Sequence, residues 1–92
     1  IGAAQAVKDA GLTPGTDVKI ATIDGTQGAL EALAAGELSF VAQYNPFFGD
    51  IAVDAVKKAL AGETLEKTII VDGETFDSAE AGQAAIDAGK GF

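Results

Sequence analysis

The feature that most constrains the fold of this chain is a series of apolar stretches with helical spacing, each closed by a glycine. Such stretches cover residues 1–10, 29–34 and 48–61. Gly11, Gly36 and Gly62 follow them, where a helix commonly ends in a residue with positive φ. A fourth helix is predicted from a cap at Asp77 or Ser78 through Ala88 to Gly89. The chain is therefore expected to contain four helices.

Short runs that are typical of strands lie between these helices. Residues 18–23 and 38–43 are mostly apolar, and residues 67–71 are rich in β-branched side chains. Helices and strands thus alternate along the chain, which predicts an α/β fold with a parallel sheet covered by helices on both faces.

The composition limits the chemistry of this 92-residue chain. It contains no Cys, His, Met or Trp, so thiolate nucleophiles, imidazole bases and the usual zinc ligands are absent. With 14 acidic and 6 basic residues the net charge is −8, which disfavours binding to nucleic acid or anionic membranes. No apolar stretch approaches the length of a membrane span, so no membrane insertion of this segment is expected. Ile1 begins inside a helical pattern without a cap, so we expect a fragment of a longer protein.

The turn from the first strand to the second helix is the most informative part of the sequence. Asp24 falls at the carboxyl end of a predicted strand, where open parallel sheets bind ligands, and its carboxylate can accept hydrogen bonds from vicinal hydroxyls. Gly25 permits a close turn, and Thr26 either starts the helix or donates a further hydrogen bond. Asp24 equally fits the position of a helix cap. Spacing alone does not separate the two interpretations.

Polar and aromatic residues follow the second strand. Gln43 ends it, and an amide suits a neutral polyol because it both donates and accepts, although an amide that faces water is the more common case. Tyr44, Phe47 and Phe48 lie beside it, where aromatic rings could stack on a sugar. Because a small core needs most of its aromatic residues, we expect at least two of these three to be buried.

Other site types find little support in the sequence. Residues 24–28 have neither the glycine spacing of a dinucleotide fingerprint nor the lysine of a P-loop. The acidic pairs at 72 and 74 and at 77 and 80 lack the alternating ligands of a calcium loop. We therefore predict no metal site, no cofactor and no catalytic residue.

Three motifs carry a resemblance to a known family. They are Gly-Ala-Ala-Gln-Ala-Val-Lys-Asp-Ala-Gly from residue 2, Ile-Asp-Gly-Thr from residue 23, and Gly-Glu-Leu-Ser-Phe-Val-Ala-Gln-Tyr-Asn-Pro from residue 36. In order and spacing, through about residue 71, the chain resembles the ribose-binding-protein-like class of periplasmic solute receptors, which supply sugars to ABC transporters. The resemblance implies a C-terminal fragment of a two-lobed, doubly wound fold that closes on a sugar at a hinge.

The resemblance also assigns roles to residues and segments. It implies that Asp24 and Gln43 hydrogen-bond sugar hydroxyls, with Thr26, Tyr44 and Asn45 as further ligand-binding or hinge residues. Residues 1–43 would belong to the C-terminal lobe, 44–47 to a hinge crossing, and 48–92 to the part that packs with the N-terminal lobe. The expected partners are a sugar and a transporter permease. The expected location is the periplasm or the cell exterior. A lipid-anchored form of the full-length protein is one of the expected forms.

Truncation of such a fold would expose strand edges and sheet faces, so we expect the fragment to form a homodimer or a swapped assembly. Two other functions remain as alternatives. The effector domain of a LacI-type repressor shares the fold and binds similar ligands. A small α/β enzyme that uses Asp24 as a base is the weaker alternative, because no nucleophile with a paired base is present.

Overall fold

The computed structural model describes all 92 residues as an α/β fold with four helices and three short strands. The elements follow in the order α1 (Gly2–Asp9), β1 (Ala21–Asp24), α2 (Gln27–Ala34), β2 (Phe40–Gln43), α3 (Gly49–Leu60), β3 (Thr75–Phe76) and α4 (Ala79–Asp87). This order confirms the predicted alternation of helices and strands.

The helices end and begin where the sequence predicts. The glycine two residues after each helix has a positive φ, as at Gly36 after α2, with φ 77°. Two helices have hydroxyl caps. The Oγ of Ser78 accepts a hydrogen bond from the Ala81 amide at 3.1 Å, and the Oγ1 of Thr26 accepts one from the Ala29 amide at 3.3 Å. Both caps satisfy amide groups that the first turn of a helix leaves unpaired. None of the four helices has the length and apolar character that crossing a membrane requires.

The sheet differs from the predicted one in its third strand. Its strand order is β1-β2-β3, with β1 and β2 parallel and β3 antiparallel to β2. The predicted strand at 67–71 does not form, and that segment is largely exposed. β-branched residues favour a strand only where a neighbouring ladder accepts their backbone groups. The segment at 75–76 has such a neighbour, because Phe76 pairs with Val41 and Thr75 with Ala42.

The core lies where α2 and α4 cover the sheet. Leu30, Leu33 and Val41 are fully buried, and Leu38, Phe76 and Ala85 join the same cluster. α2 and α4 approach closely at Gly82, where a Cβ atom would lie 3.0 Å from the Ala34 amide nitrogen. The opposite sheet face is open at β1, where Ile23 is 68% exposed. Helices therefore cover one face of the sheet in this chain, which agrees with the expectation that truncation of the fold exposes a sheet face.

The predicted burial of the aromatic residues near the second strand is also wrong. Tyr44, Phe47 and Phe48 are all exposed, and Phe76 is the one aromatic residue in the core. The physical reason is that residues 44–74 leave the sheet and return to it at β3. α3 lies in this excursion and has no buried residue. The chain measures 60 Å along its longest axis against 24 and 16 Å along the others.

Candidate functional site

The candidate site lies at the carboxyl ends of β1 and β2. Asp24 and Gln43 end their strands and are register partners in the parallel ladder. Adjacent strands lie about 4.8 Å apart, so the two backbones are neighbours. The two residues that the sequence singles out are thus brought together by main-chain pairing. This is the strand end at which open α/β sheets bind their ligands.

The backbone at Asp24 has an unusual conformation. Asp24 has φ 92° and is the one residue other than glycine with a positive φ, and Gly25 follows with φ 79°. The Asp24 carbonyl accepts a hydrogen bond from the Tyr44 amide at 2.9 Å, which extends the contact between the strands past the last register pair. The side chain of Asp24 is exposed at this turn. Strained backbone in a non-glycine residue is a recurrent feature of functional sites.

The turn packs closely against Gln43 at Gly25. A Cβ atom at Gly25 would lie 3.1 Å from the Cγ of Gln43 and 3.2 Å from its Cα. The close approach and the positive φ both require glycine here. The residue that caps α2 is Thr26, so the interpretation of Asp24 as the helix cap is wrong. The Thr26 hydroxyl has a structural role in the first turn of α2.

Gln43 is half-buried and held from two sides. Its backbone amide donates to the Glu74 carbonyl at 2.8 Å, and its side-chain Nε2 donates to the Lys90 carbonyl at 3.2 Å. The side chain lies on the same face of β2 as the buried Val41, two residues earlier. The amide therefore has a protein partner, in contrast to the alternative of a strand-terminal amide that faces water.

Tyr44 and Asn45 lie where the chain leaves the sheet. Tyr44 is 71% exposed. The Oδ1 of Asn45 accepts from the Phe47 amide at 2.8 Å, and its Nδ2 donates to the Asp72 carbonyl at 3.4 Å. Asn45 thus links the outgoing segment to the returning one near residue 72.

Sequence reasoning missed the residues that complete the rim of this site. The Phe92 carbonyl accepts from the Gln27 amide at 3.0 Å, and the Phe92 ring packs edge to face on Phe47 with centroids 6.1 Å apart. Lys90 forms an ion pair with Glu74. No local pattern could have pointed to these contacts, because residues 90 and 43 are 47 positions apart in the chain.

A second concave surface lies in the excursion, away from Asp24 and Gln43. It is a groove of about 480 Å³ between α3 and the segment after it, with Ile51, Ala55, Leu65 and Ile69 among its lining residues. At its edge Lys58 pairs with Asp54 at 2.7 Å. The hydrogen bond and charge of Asp54 raise the pKa of Lys58 above its usual value. No cluster of three or more acidic, histidine or cysteine side chains that could hold a metal is present.

The chemistry of the strand-end site suits a neutral, hydroxylated ligand. An exposed carboxylate accepts hydrogen bonds, and an amide both accepts and donates. Asp24, Gly25, Thr26 and Gln43 include no basic side chain, and the ammonium group of Lys90 at the rim is paired with Glu74. The exposed Tyr44 and Phe47 rings flank the crossing segment and offer apolar faces.

Comparisons with known proteins identify relatives of this chain. No protein-family model matches it. The fructose import binding protein FruE of Bifidobacterium longum (strain NCC 2705) is 54% identical over 84 residues, which are 91% of this chain and 25% of that protein. The galactofuranose-binding protein YtfQ of Escherichia coli (strain K12) is 33% identical over 76 residues, 83% of this chain and 24% of that protein.

A solved structure is also similar to this chain. It is the periplasmic binding protein component of the arabinose ABC transporter from Shewanella sp. ANA-3, bound to α- and β-L-arabinofuranose. It superposes with a TM-score of 0.84 at 34% identity, over 95% of this chain and 29% of that one. The chain therefore spans about a quarter of the length of the curated relatives it matches.

Proposed function

Because this chain is homologous to a segment of the periplasmic sugar-binding proteins of ABC transporters, we propose that the full-length protein binds a monosaccharide and delivers it to a membrane permease. The observation that carries this proposal is the pairing of Asp24 with Gln43 at the carboxyl ends of two parallel strands. The named relatives are import and binding proteins, so transport takes precedence over the LacI-type repressor alternative.

The proposed ligand contacts follow from the chemistry of these two residues. The Asp24 carboxylate accepts hydrogen bonds from hydroxyls of the sugar, and the Gln43 amide binds a neighbouring hydroxyl. The hydroxyl of Thr26 lies one residue past Gly25, and Tyr44 and Asn45 border the site at the crossing segment. We propose that Thr26 and Asn45 stabilise the backbone around the site and that Tyr44 lies on its exposed rim.

We propose a furanose ring as the form of the sugar. One relative is named for galactofuranose and the solved structure holds arabinofuranose, while fructose, for which the other relative is named, also adopts a furanose ring. D-Fructose is therefore the first ligand to test, followed by L-arabinose and D-galactose.

The proposed mechanism is closure of two lobes over the sugar. Residues 44–47 form one hinge crossing, and residues 48–74 belong to the second lobe. β3 and α4 pack against β2 and α2, so we limit the second-lobe segment to 48–74 instead of 48–92. Binding energy from both lobes would favour the closed form, which the permease recognises.

This role implies binding without chemical conversion, with no cofactor and with no catalytic residue. It also implies a location outside the cytoplasmic membrane, either free in the periplasm or held at the cell surface by a lipid anchor. For the isolated 92-residue segment we propose self-association. The open sheet edge at β1 and the exposed apolar residues of the excursion support it.

Titration calorimetry of the full-length protein tests the proposed function. We expect one sugar of the panel to bind. We expect Asp24→Asn and Gln43→Ala each to weaken binding at least about fivefold, the typical effect of a lost buried hydrogen bond. Asp9→Asn and Gln83→Ala are the matched controls on exposed helix surfaces and should leave binding unchanged. Full affinity in both site variants would remove Asp24 and Gln43 from the site.

A further inference from the structure

We propose that the segment of residues 90–92 fixes the orientation of the Gln43 amide, so that Gln43 offers its Oε1 to the sugar as a hydrogen-bond acceptor. This inference rests on the proposed function, since it assigns a direction to one of the ligand contacts. It makes Lys90 and Gly91 positioning residues for sugar specificity.

The first step is the hydrogen bond from Gln43 Nε2 to the Lys90 carbonyl, at 3.2 Å. A carbonyl oxygen can only accept, so the nitrogen end of the amide must face it. Rotation of the amide by half a turn would place Oε1 against the Lys90 oxygen, with two acceptors in contact and no hydrogen between them. Because Gln43 is half-buried, water compensates this loss poorly.

The second step is the placement of the Lys90 carbonyl itself. The Lys90 amide donates to the Ala85 carbonyl at 3.0 Å, in the hydrogen-bonded turn that ends α4. Its ammonium group pairs with Glu74, whose carbonyl accepts from the backbone amide of Gln43. Lys90 and Glu74 therefore hold the side chain and the main chain of Gln43 as one unit.

The third step is the anchoring of the segment on α2. The Phe92 carbonyl accepts from the Gln27 amide at 3.0 Å. Gly91 lies so close to α2 that a Cβ atom there would be 2.8 Å from the Cα of Gln27. Because that contact involves backbone, a side chain at position 91 must displace the segment. Residues 90–92 are thus fixed by α4 on one side and by α2 on the other.

The consequence is a rule for the ligand. With its nitrogen directed to Lys90, the end of the Gln43 amide that points away is Oε1. The neighbouring Asp24 offers a carboxylate, which is also an acceptor. With Oε1 offered to the sugar, the two acceptors at the strand ends take two donated hydrogens, as a pair of hydroxyls provides. A sugar with fluorine at either hydroxyl, or with a carboxylate there, cannot supply them.

A double-mutant cycle in the full-length protein tests the coupling. The variants are Gly91→Ala, Gln43→Leu and their combination, with the sugar of the panel that binds as the probe. We expect Gly91→Ala to weaken binding about fivefold in the parent and less than about twofold in the Gln43→Leu background. Gly2→Ala is the control, because a Cβ atom at Gly2 has no neighbour within 4 Å.

Each other outcome points to a specific failure. An equal loss from Gly91→Ala in both backgrounds would overturn the inference, because the segment would then act without Gln43. So would an unchanged affinity in Gly91→Ala while Gln43→Leu binds weakly. If no sugar binds the parent, or if Gln43→Leu binds at full strength, the proposed function or its site fails first and this inference fails with it.

A second measurement does not depend on whether the Gly91→Ala variant folds. In ¹⁵N NMR spectra of the ligand-free protein, one Nε2 proton of Gln43 should exchange more slowly than the side-chain protons of a short glutamine peptide under the same conditions. The peptide is the reference because the other glutamines of the chain also donate hydrogen bonds, to carboxylates. The resonance is assigned by its loss in Gln43→Leu. Exchange of both Nε2 protons of Gln43 at the rate of the free peptide would overturn the inference.

Discussion

Asp24 and Gln43 are the last register partners of the parallel β1–β2 ladder, and the carbonyl of Asp24 continues the contact by accepting from the amide of Tyr44. The two residues are therefore brought together by backbone pairing, and the Lys90 carbonyl in addition holds the Gln43 side chain. A site built on strand ends is held more rigidly than one built on loops. This arrangement places the proposed ligand groups before any sugar binds.

The backbone strain at Asp24 leads to a stability prediction. Asp24 has φ 92°, a conformation that Asn tolerates better than Ala does. We expect Asp24→Ala to lower the free energy of unfolding by roughly 1 kcal/mol more than Asp24→Asn. Urea denaturation of both variants measures the difference. Equal stabilities would show that this turn carries no strain.

Gly25→Ala should be more damaging than an ordinary glycine substitution. Ala at φ 79° costs about 1–2 kcal/mol, and its Cβ would also press on Gln43. We expect a loss of at least about 1 kcal/mol in the free energy of unfolding, with weaker sugar binding in the full-length protein. The matched control is Gly2→Ala, which meets no neighbouring atom. Similar thermal unfolding curves for the two variants would contradict this prediction.

The two hydroxyl caps should contribute measurably to stability. Ser78→Ala removes the acceptor for the Ala81 amide, and Thr26→Ala removes that for the Ala29 amide. We expect each to cost about 1 kcal/mol, while Thr26→Ser and Ser78→Thr retain most of the stability. Circular dichroism during urea unfolding reports the losses. Alanine variants as stable as the hydroxyl-bearing ones would mean that water replaces the caps at no cost.

Two leucines at opposite extremes of burial test the location of the core. Leu33 is 1% exposed in the cluster beneath α2, whereas Leu60 is 84% exposed at the end of α3. We expect Leu33→Ala to cost about 2–5 kcal/mol, enough to unfold a domain of this size, and Leu60→Ala to cost less than about 0.5 kcal/mol. Chemical denaturation compares them. If Leu60→Ala greatly lowers the free energy of unfolding of an assembled or full-length protein, a partner surface covers α3 there.

The exposed apolar surface of the excursion makes self-association of the isolated segment testable. Val56 and Ile70 are 58% and 78% exposed, and the β1 edge is unpaired. We expect multi-angle light scattering to give a mass above that of one 9.2 kDa chain, and a Val56→Lys, Ile70→Lys variant to shift towards the monomer. A clean monomer at high concentration in the parent segment would refute the proposal.

The sequence predicted the local features well. Helix ends follow from backbone chemistry within a few residues, so the glycines after α1, α2 and α3 could be identified directly. The cap of α4 could be narrowed to Asp77 or Ser78, and the structure selects Ser78. Their strand-end positions made Asp24 and Gln43 candidates, and the resemblance to the solute receptors assigned them to the sugar. Their adjacency comes from the structure, in which β1 and β2 pair in parallel.

The third strand and the aromatic residues could not be predicted from local pattern. Residues 67–71 have strand composition but no neighbouring ladder, whereas Phe76 gains a partner in Val41 and a place in the core. Tyr44, Phe47 and Phe48 stay exposed because the chain leaves the sheet at this point. In both cases the outcome depends on which surfaces meet, and no single stretch of sequence contains that information.

The sequence by itself determined the order of elements and the helix ends, because each depends on interactions within about ten residues. It also made Asp24 and Gln43 candidate ligand residues, through their strand-end positions and the family resemblance. Only the tertiary structure decided that Lys90 holds the Gln43 amide, that Thr26 and not Asp24 caps α2, and that β3 and α4 return to the first sheet. The return of β3 and α4 and the contact at Lys90 join parts of the chain that are far apart in sequence, and the geometry of packing selects them.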